Sequence, residues 1–192
     1  MGQEYELKFQ ATAAIQGQIR ASLGDVWHAC SMATTYYDSP DGQLSARKWT
    51  LRCRLENGIS ICTLKTPMGA ARGEWETQCQ DIMAAIPMLC KLGAPQALLT
   101  LTAKGVAPVC GAAFTRLAAQ VTYGASRLEI ALDEGKLTAG DRSTPLCEVE
   151  VELKEGLSQD ADAYAQALAD TFGLTPLATS KFKRALALRE AL

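Results

Sequence analysis

A single histidine, His28, stands in this chain of 192 residues. It lies in Asp25-Val26-Trp27-His28-Ala29 with no nucleophile motif beside it, which excludes hydrolases of the Ser-His-Asp or Cys-His kind. His28 reads as a surface or partly buried side chain. The seven cysteines are scattered and odd in number, and no two form Cys-x-x-Cys. With one imidazole in the chain, zinc of the usual ligand spacing is excluded as well. The thiols read as reduced, mostly buried small apolar residues, as expected of a cytoplasmic protein. No run of about 18 apolar residues is present to span a membrane. The N-terminus has no apolar core of a secretory leader, so no signal peptide is expected. No Gly-x-x-x-x-Gly-Lys-Ser/Thr loop occurs, which removes a Walker-type nucleotide site. A net charge of -2 lacks the basic excess that nucleic acid or an anionic membrane demands.

Strand-like alternation is abundant. In residues 3–11, Glu4, Glu6, Lys8 and Gln10 share one face, and Tyr5, Leu7 and Phe9 share the other. An alanine-rich helix is predicted over 13–23 behind Thr12 as its N-cap. Tyr36 to Gly42 reads as an aromatic strand running into a turn. Two alternating runs, 51–56 and 59–65, meet at Asn57-Gly58, the strongest short hairpin signal. Residues 72–81 alternate again, and 82–103 predict two short helices broken near Gly93-Ala94-Pro95. Further strands are expected at 113–123 and 126–133, with Asp133-Glu134-Gly135-Lys136 as a tight turn. Residues 147–154 alternate most clearly of all, and Gly156 ends them. A helix over 160–172 stops at Gly173, and a last helix runs from Ser180 to the end. With no repeat and no low-complexity linker, residues 1–192 are expected to form one domain.

The polar faces of these strands carry both signs of charge. Glu4, Glu6, Glu74, Glu76, Glu129, Asp133, Glu148, Glu150 and Glu152 supply carboxylates; Lys8, Arg52, Arg54, Lys65, Arg72, Arg116, Arg127 and Lys154 supply cations. A solvated sheet face is the plain explanation of any one such strand. Solvated faces usually mix in Ser, Thr and Gln, whereas these runs are nearly pure charge. Two like charges about 4 Å apart cost about 1 kcal/mol in water and about 4 kcal/mol at an effective dielectric near 20. If the faces close inward on a barrel, the glutamates need a hard cation and the basic groups need an anion such as phosphate. Ligation by oxygen alone favours Mg²⁺ or Mn²⁺. Tyr5, Leu7, Phe9, Leu51, Cys53, Leu55, Val149, Val151 and Leu153 then point outward, under covering helices. The usual small barrel is filled by side chains; here a hydrated polar lumen is expected.

Glu4-Tyr5-Glu6-Leu7-Lys8 resembles the Glu-x-Glu-x-Lys signature of the CYTH superfamily, the triphosphate tunnel metalloenzymes. Further blocks follow in order: Tyr37-Asp38-Ser39-Pro40-Asp41, Leu51-Arg52-Cys53-Arg54, Thr63-Leu64-Lys65 and Arg72-Gly73-Glu74-Trp75-Glu76. After them come Leu128 to Gly135, Cys147 to Leu153, and Ser180-Lys181 with Arg184. The resemblance covers nearly the whole chain and is nearest to bacterial inorganic triphosphatases.

What the resemblance implies is an α+β fold, an eight-stranded antiparallel β-barrel tunnel with a charged interior, outer helices and a C-terminal plug helix. By position, Glu148 and Glu150 are expected to hold the main metal, with Glu4 and Glu6 completing it or holding a second ion. Glu74, Glu76, Asp133 and Glu152 are further candidate ligands or water-positioning carboxylates. Lys8, Arg52, Arg54, Lys65, Arg72 and Arg116 are expected to grip phosphates, with Lys181 and Arg184 from the plug. Lys8, Arg52, Arg54, Lys65, Glu148 and Glu150 form the expected catalytic set, and Mg²⁺ or Mn²⁺ the cofactor. The expected substrate is a small triphosphate such as tripolyphosphate, with neither nucleic acid nor membrane as a partner. Relatives often carry another basic residue near Arg116, where this chain has Ala118 and Ala119. Some bacterial relatives carry a second, histidine-rich helical domain, and none is expected here. A CYTH-type adenylate cyclase, a thiamine or nucleoside triphosphatase, and a non-catalytic polyphosphate-binding module remain alternatives. A nucleic-acid-binding barrel fits least, because the polar strand faces lack aromatic stacking platforms.

Overall fold

A computed structural model describes residues 2–3, 5–68 and 71–189, and for residues 2, 3, 68, 71 and 72 the backbone alone. The strands are β1 (Gly2–Gln3), β2 (Glu6–Gln10), β3 (His28–Asp38), β4 (Thr50–Glu56), β5 (Ile59–Met68), β6 (Ala71–Gln78), β7 (Ala107–Tyr123), β8 (Ser126–Ala139), β9 (Arg142–Glu155) and β10 (Thr175–Pro176). The helices are α1 (Ala13–Leu23), α2 (Gln43–Ala46), α3 (Ile82–Lys91), α4 (Ala97–Leu101), α5 (Ser158–Phe172) and α6 (Lys181–Ala187).

All strands belong to one antiparallel sheet in the order β1-β6-β5-β4-β3-β7-β8-β9-β2-β10. β1 and β2 are successive pieces of the N-terminal segment. The first pairs with β6, Gly2 opposite Glu74, and the second with β9, Lys8 opposite Glu150. The hydrogen-bond ladder is therefore not continuous around the sheet; the chain itself spans its two edges. Seven long strands, β3 to β9, and this divided first strand give the expected eight-stranded tunnel.

Local chemistry explains the elements. The Thr12 hydroxyl accepts from the Ile15 amide and caps α1. Asn57 (φ 47°) and Gly58 (φ 87°) both lie in the left-handed region, as a type I′ hairpin turn between β4 and β5 requires. Asp38 ends β3 and is buried. Its carboxylate accepts from the amides of Ser39, Leu44 and Ser45, so the conspicuous Tyr37-Asp38-Ser39 run builds the cap of α2.

Two expectations are corrected. The 133–136 segment is no turn: β8 runs on to Ala139, and the reversal falls at Gly140-Asp141. Gly135 serves instead as a point of close approach, since a Cβ there would lie 2.2 Å from the Ala113 carbonyl oxygen. Leu55 points outward as expected but is exposed, because it sits near the tip of its hairpin beyond the reach of a covering helix.

The outer faces carry the core in two patches. Phe9, Val149 and Val151 pack with Ile19 of α1 and Ala161, Ala165 and Leu168 of α5. Leu51, Cys62, Leu64 and Trp75 pack under Ile86, Leu89 and Leu98 of α3 and α4. Burying such side chains stabilises by about 1.5–3 kcal/mol each. A third cluster joins Met32, Tyr36 and Phe114 to Phe182 and Ala185 of α6, closing one end of the tunnel. The rings of Tyr36 and Phe182 lie 5.1 Å apart. All seven cysteines are free thiols, and no helix among the described residues is long and apolar enough to cross a membrane.

Candidate functional site

A period of two sets the site. Glu148, Glu150 and Glu152 on β9 share the face opposite Val149 and Val151, and the register stacks them against charged neighbours. One row runs Gln10, Glu148, Asp133, Arg116; the next Lys8, Glu150, Ala131, Ala118; the next Glu6, Glu152, Glu129, Gln120. On the other side, Arg52 and Arg54 of β4 and Lys65 of β5 share the inner face, with Glu74 and Glu76 on β6. β4 and β9 stand four places apart in the strand order, so the arginines confront the glutamates across the lumen.

Between them lies a cavity of about 500 Å³. Glu6, Lys8, Arg52, Arg54, Lys65, Glu74, Glu76, Arg116, Glu150, Glu152 and Lys181 line it. Asp133 and Glu148 lie behind that wall, each 0% exposed, and Glu150 is 7% exposed. Glu4 lies outside the described residues. Arg72 is in β6 opposite Pro67, and its side chain lies outside them too.

The floor is an ion network. The Arg116 guanidinium donates to both Asp133 oxygens at 2.7 Å and to Glu150 Oε2 at 2.5 Å. Lys181 Nζ lies 2.7 Å from Asp133 Oδ2 and 2.8 Å from Glu150 Oε1 and also contacts Glu148, which Arg184 binds in turn. Three carboxylates thus meet three cations, as burial demands of charge. Burial by itself would lower the pKa of Lys181, but Glu150, Asp133 and Glu148 overcome it and raise it. Burial likewise works against the Glu150 carboxylate, yet Lys181 and Arg116 hold its pKa well below the usual range. For Glu148 burial prevails and pushes the carboxyl up, against the pull of Lys181. Arg116 stays charged, because Asp133 and Glu150 outweigh its desolvation. The Phe114 ring lies beneath two of these cations, 5.3 Å from Lys181 Nζ and 5.9 Å from the Arg116 guanidinium carbon.

The remaining expected residues form separate pairs. Lys8 meets Glu6 at 2.7 Å, Lys65 meets Glu74 at 3.3 Å, and Arg52 lies 3.8 Å from Glu74. Arg54 meets Glu56 at 2.9 Å, while its Nε is buried with no hydrogen-bond partner. Desolvation, then the neighbouring Arg52 charge, lowers the Arg54 pKa. A buried, unsatisfied donor beside a second cation suits an anion. Glu152 pairs with Lys154 at 2.8 Å, and Lys154 reaches Glu129 at 3.4 Å. Glu76 is exposed at the rim and accepts from Thr63 at 3.0 Å, apart from the buried carboxylates.

Asp133, Glu148 and Glu150 each bring a carboxylate oxygen within 4.8 Å of the others. An all-oxygen donor set fits a hard divalent cation. Sequence reasoning left several lining residues out of the site. Glu129 and Lys154 share the parity of Asp133 and Glu152 and were recoverable; Tyr36 and Phe114 carried no charge signal. Ala118 lines the cavity opposite Ala131, so the basic position expected near Arg116 is filled by a methyl group.

An inorganic triphosphatase of Haemophilus influenzae is 31% identical over 156 residues, 80% of this chain and 44% of that protein. This chain thus spans less than half the length of that relative. A Pyrococcus horikoshii protein superposes with a TM-score of 0.64 at 21% identity, covering 98% of this chain and 99% of that one. A Hippeastrum protein described as an adenylyl cyclase with a dominant triphosphatase activity gives 0.65 at 15% identity, covering 96% and 95%. At these identities the two superpositions establish the fold. The CYTH domain family matches residues 2–186, and the chain is a member of that family.

Proposed function

We propose that this chain hydrolyses inorganic triphosphate to diphosphate and phosphate inside the charged cavity, with Mg²⁺ or Mn²⁺ as cofactor. The observation that carries this reading is the confrontation of Arg52, Arg54 and Lys65 with Glu150 across one cavity of about 500 Å³, with Asp133 and Glu148 clustered behind Glu150. Polyanion and divalent cation each find groups of the opposite charge there, the buried Arg54 Nε among them with no hydrogen-bond partner. The Haemophilus relative is named for the same activity.

Arg52, Arg54, Lys65 and Lys8 bind the phosphate oxygens, the arginines by paired N–H donors in a fixed fork. Arg116, Lys181 and Arg184 pair with the buried carboxylates and orient them. Asp133, Glu148 and Glu150 would hold the metal, with Glu6 and Glu152 opposite each other in the row next to Glu150. When bound, the ion supplies charge neutralisation and Lewis acidity at the phosphoryl oxygens. A water held on the acidic wall attacks the terminal phosphorus in line, and the bond to the bridging oxygen breaks. The protein's share is positioning and preset electrostatics.

Phosphate release from tripolyphosphate, ATP and thiamine triphosphate under Mg²⁺ and Mn²⁺, with a parallel check for cyclic AMP, tests the reading. Preferred turnover of tripolyphosphate supports it. Cyclic AMP production, or binding without turnover of any of the three, would overturn it.

A further inference from the structure

Gln16 is out of place for packing. It lies on the buried face of α1 with Ile19, is 7% exposed, and belongs to a helix whose neighbours are apolar residues of the outer core. Leucine or methionine would fill that position without burying an amide, which costs about 1–3 kcal/mol when its bonds are not made good. The amide does have partners, and their identity is informative. Gln16 Nε2 donates to the carbonyl oxygen of Asp133 at 3.1 Å and to that of Glu148 at 2.9 Å.

Those carbonyls do not need Gln16. Ala139 and Arg142 flank the two-residue loop between β8 and β9 and form a hydrogen-bonded pair, and pair type alternates along the ladder. Asp133 and Glu148 lie an even number of pairs away with no register shift between, so each already accepts the other's amide. Pro145, which has no N–H to give, falls on a pair of the other type opposite Lys136, as this phase requires. Gln16 therefore adds a second bond to each of two satisfied carbonyls. Its nitrogen caps the small hydrogen-bonded ring from the outer face, while the side chains of Asp133 and Glu148 leave the same two residues toward the lumen.

We infer that Gln16 is a positioning residue: from outside the barrel it ties the backbones of Asp133 and Glu148 to α1 and so fixes the spacing of two of the three carboxylates that receive the metal. The inference rests on the metal-dependent reading above. A coordination site tolerates misplacement of only about 0.5 Å. Two backbone anchors from a rigid helix restrain both strands at the one register where two ligands face each other. No other side chain among the described residues donates to both carbonyls.

Mn²⁺ binding, measured by calorimetry on the whole chain well below its unfolding temperature, tests the inference with Gln16→Met, which keeps the shape and removes the donor. Loss of such a supporting contact weakens metal binding by about 10–100-fold, the result expected here. A merely structural glutamine would lower the unfolding temperature and leave the Mn²⁺ dissociation constant of the folded protein within about twofold, and that result would overturn the inference. Should Gln16→Met fail to fold, Gln16→His retains one N–H toward one carbonyl. It is expected to bind Mn²⁺ more weakly than the parent, and parent-like binding overturns the inference equally. A parent chain that itself binds no Mn²⁺ would instead overturn the metal-dependent reading, and this inference with it.

Discussion

Arg116 and Asp133 are directly opposite on β7 and β8, and their side chains meet through two parallel 2.7 Å hydrogen bonds inside the tunnel floor. Asp133 is wholly buried, and Arg116 and Lys181 are its ion-pair partners. Arg116→Met removes the fork and leaves Asp133 and Glu150 short of one cation. Breaking a buried pair from one side costs about 3–5 kcal/mol. A urea unfolding curve should show a loss of that order; an unchanged midpoint would mean that Lys181 alone satisfies both carboxylates.

Lys181 binds all three buried carboxylates from the plug helix. Lys181→Met should therefore destabilise the metal-free protein. The same change leaves the carboxylates with excess negative charge, which Mn²⁺ can neutralise. The rise in unfolding temperature on adding Mn²⁺ should be larger for Lys181→Met than for the parent, since stabilisation grows with affinity. Equal rises in thermal scans would contradict this.

Buried thiols make the fold sensitive to alkali. Burial pushes Cys110 up to about 12, and it raises Cys30, Cys62, Cys90 and Cys147 as well. A thiol in the unfolded chain ionises near about 8.5, while the folded thiol stays neutral. Proton loss then favours the unfolded state, so the stability attached to Cys110 is complete below about 8.5 and declines as pH rises toward 12. Denaturant midpoints between pH 8 and 10, roughly, should fall for the parent and fall less steeply for Cys110→Ala. Parallel slopes would remove Cys110 from the account.

Gly135 lies against the neighbouring strand, with Ala113 O and Phe114 Cα inside the volume a methyl group would take. Gly135→Ala forces β7 and β8 apart just beyond Asp133 and should cost about 1–3 kcal/mol or more, as overpacking does. Gly17, which has open space at its Cβ position, provides the control: Gly17→Ala in α1 should be neutral or stabilising. Chemical denaturation of the two variants should separate them clearly, and equal stabilities would refute the close approach.

The sequence disclosed the tunnel because its strands alternate charge with aliphatic residues over four or more positions. Glu148-Val149-Glu150-Val151-Glu152 can satisfy both faces only with a core outside and a charged lumen inside. Asn57-Gly58 and Thr12 were legible for the same local reason, each carrying its turn or cap chemistry in two or three residues. Gly135 misled because a glycine after Asp-Glu reads as a turn, whereas its purpose is set by Phe114, distant in sequence. β3 was read from Tyr36 onward and missed from His28 to Thr35, where Ala, Ser and Thr give little alternation and the outer face meets no helix. Pairing within the site was equally out of reach: Lys181 and Glu150 are 31 residues apart, and only the docking of α6 brings them together. Gln16 carried a faint signal, a polar residue on the Ile15 and Ile19 side of its helix, without any indication of what it bonds.

The most direct measurement is metal-dependent phosphate release from tripolyphosphate by the parent chain and by the double variant Glu148→Gln, Glu150→Gln, with circular dichroism to confirm that both fold. Turnover by the parent that requires Mg²⁺ or Mn²⁺ and disappears in the folded double variant is the predicted result. Undiminished turnover by that variant would contradict the assignment of these carboxylates.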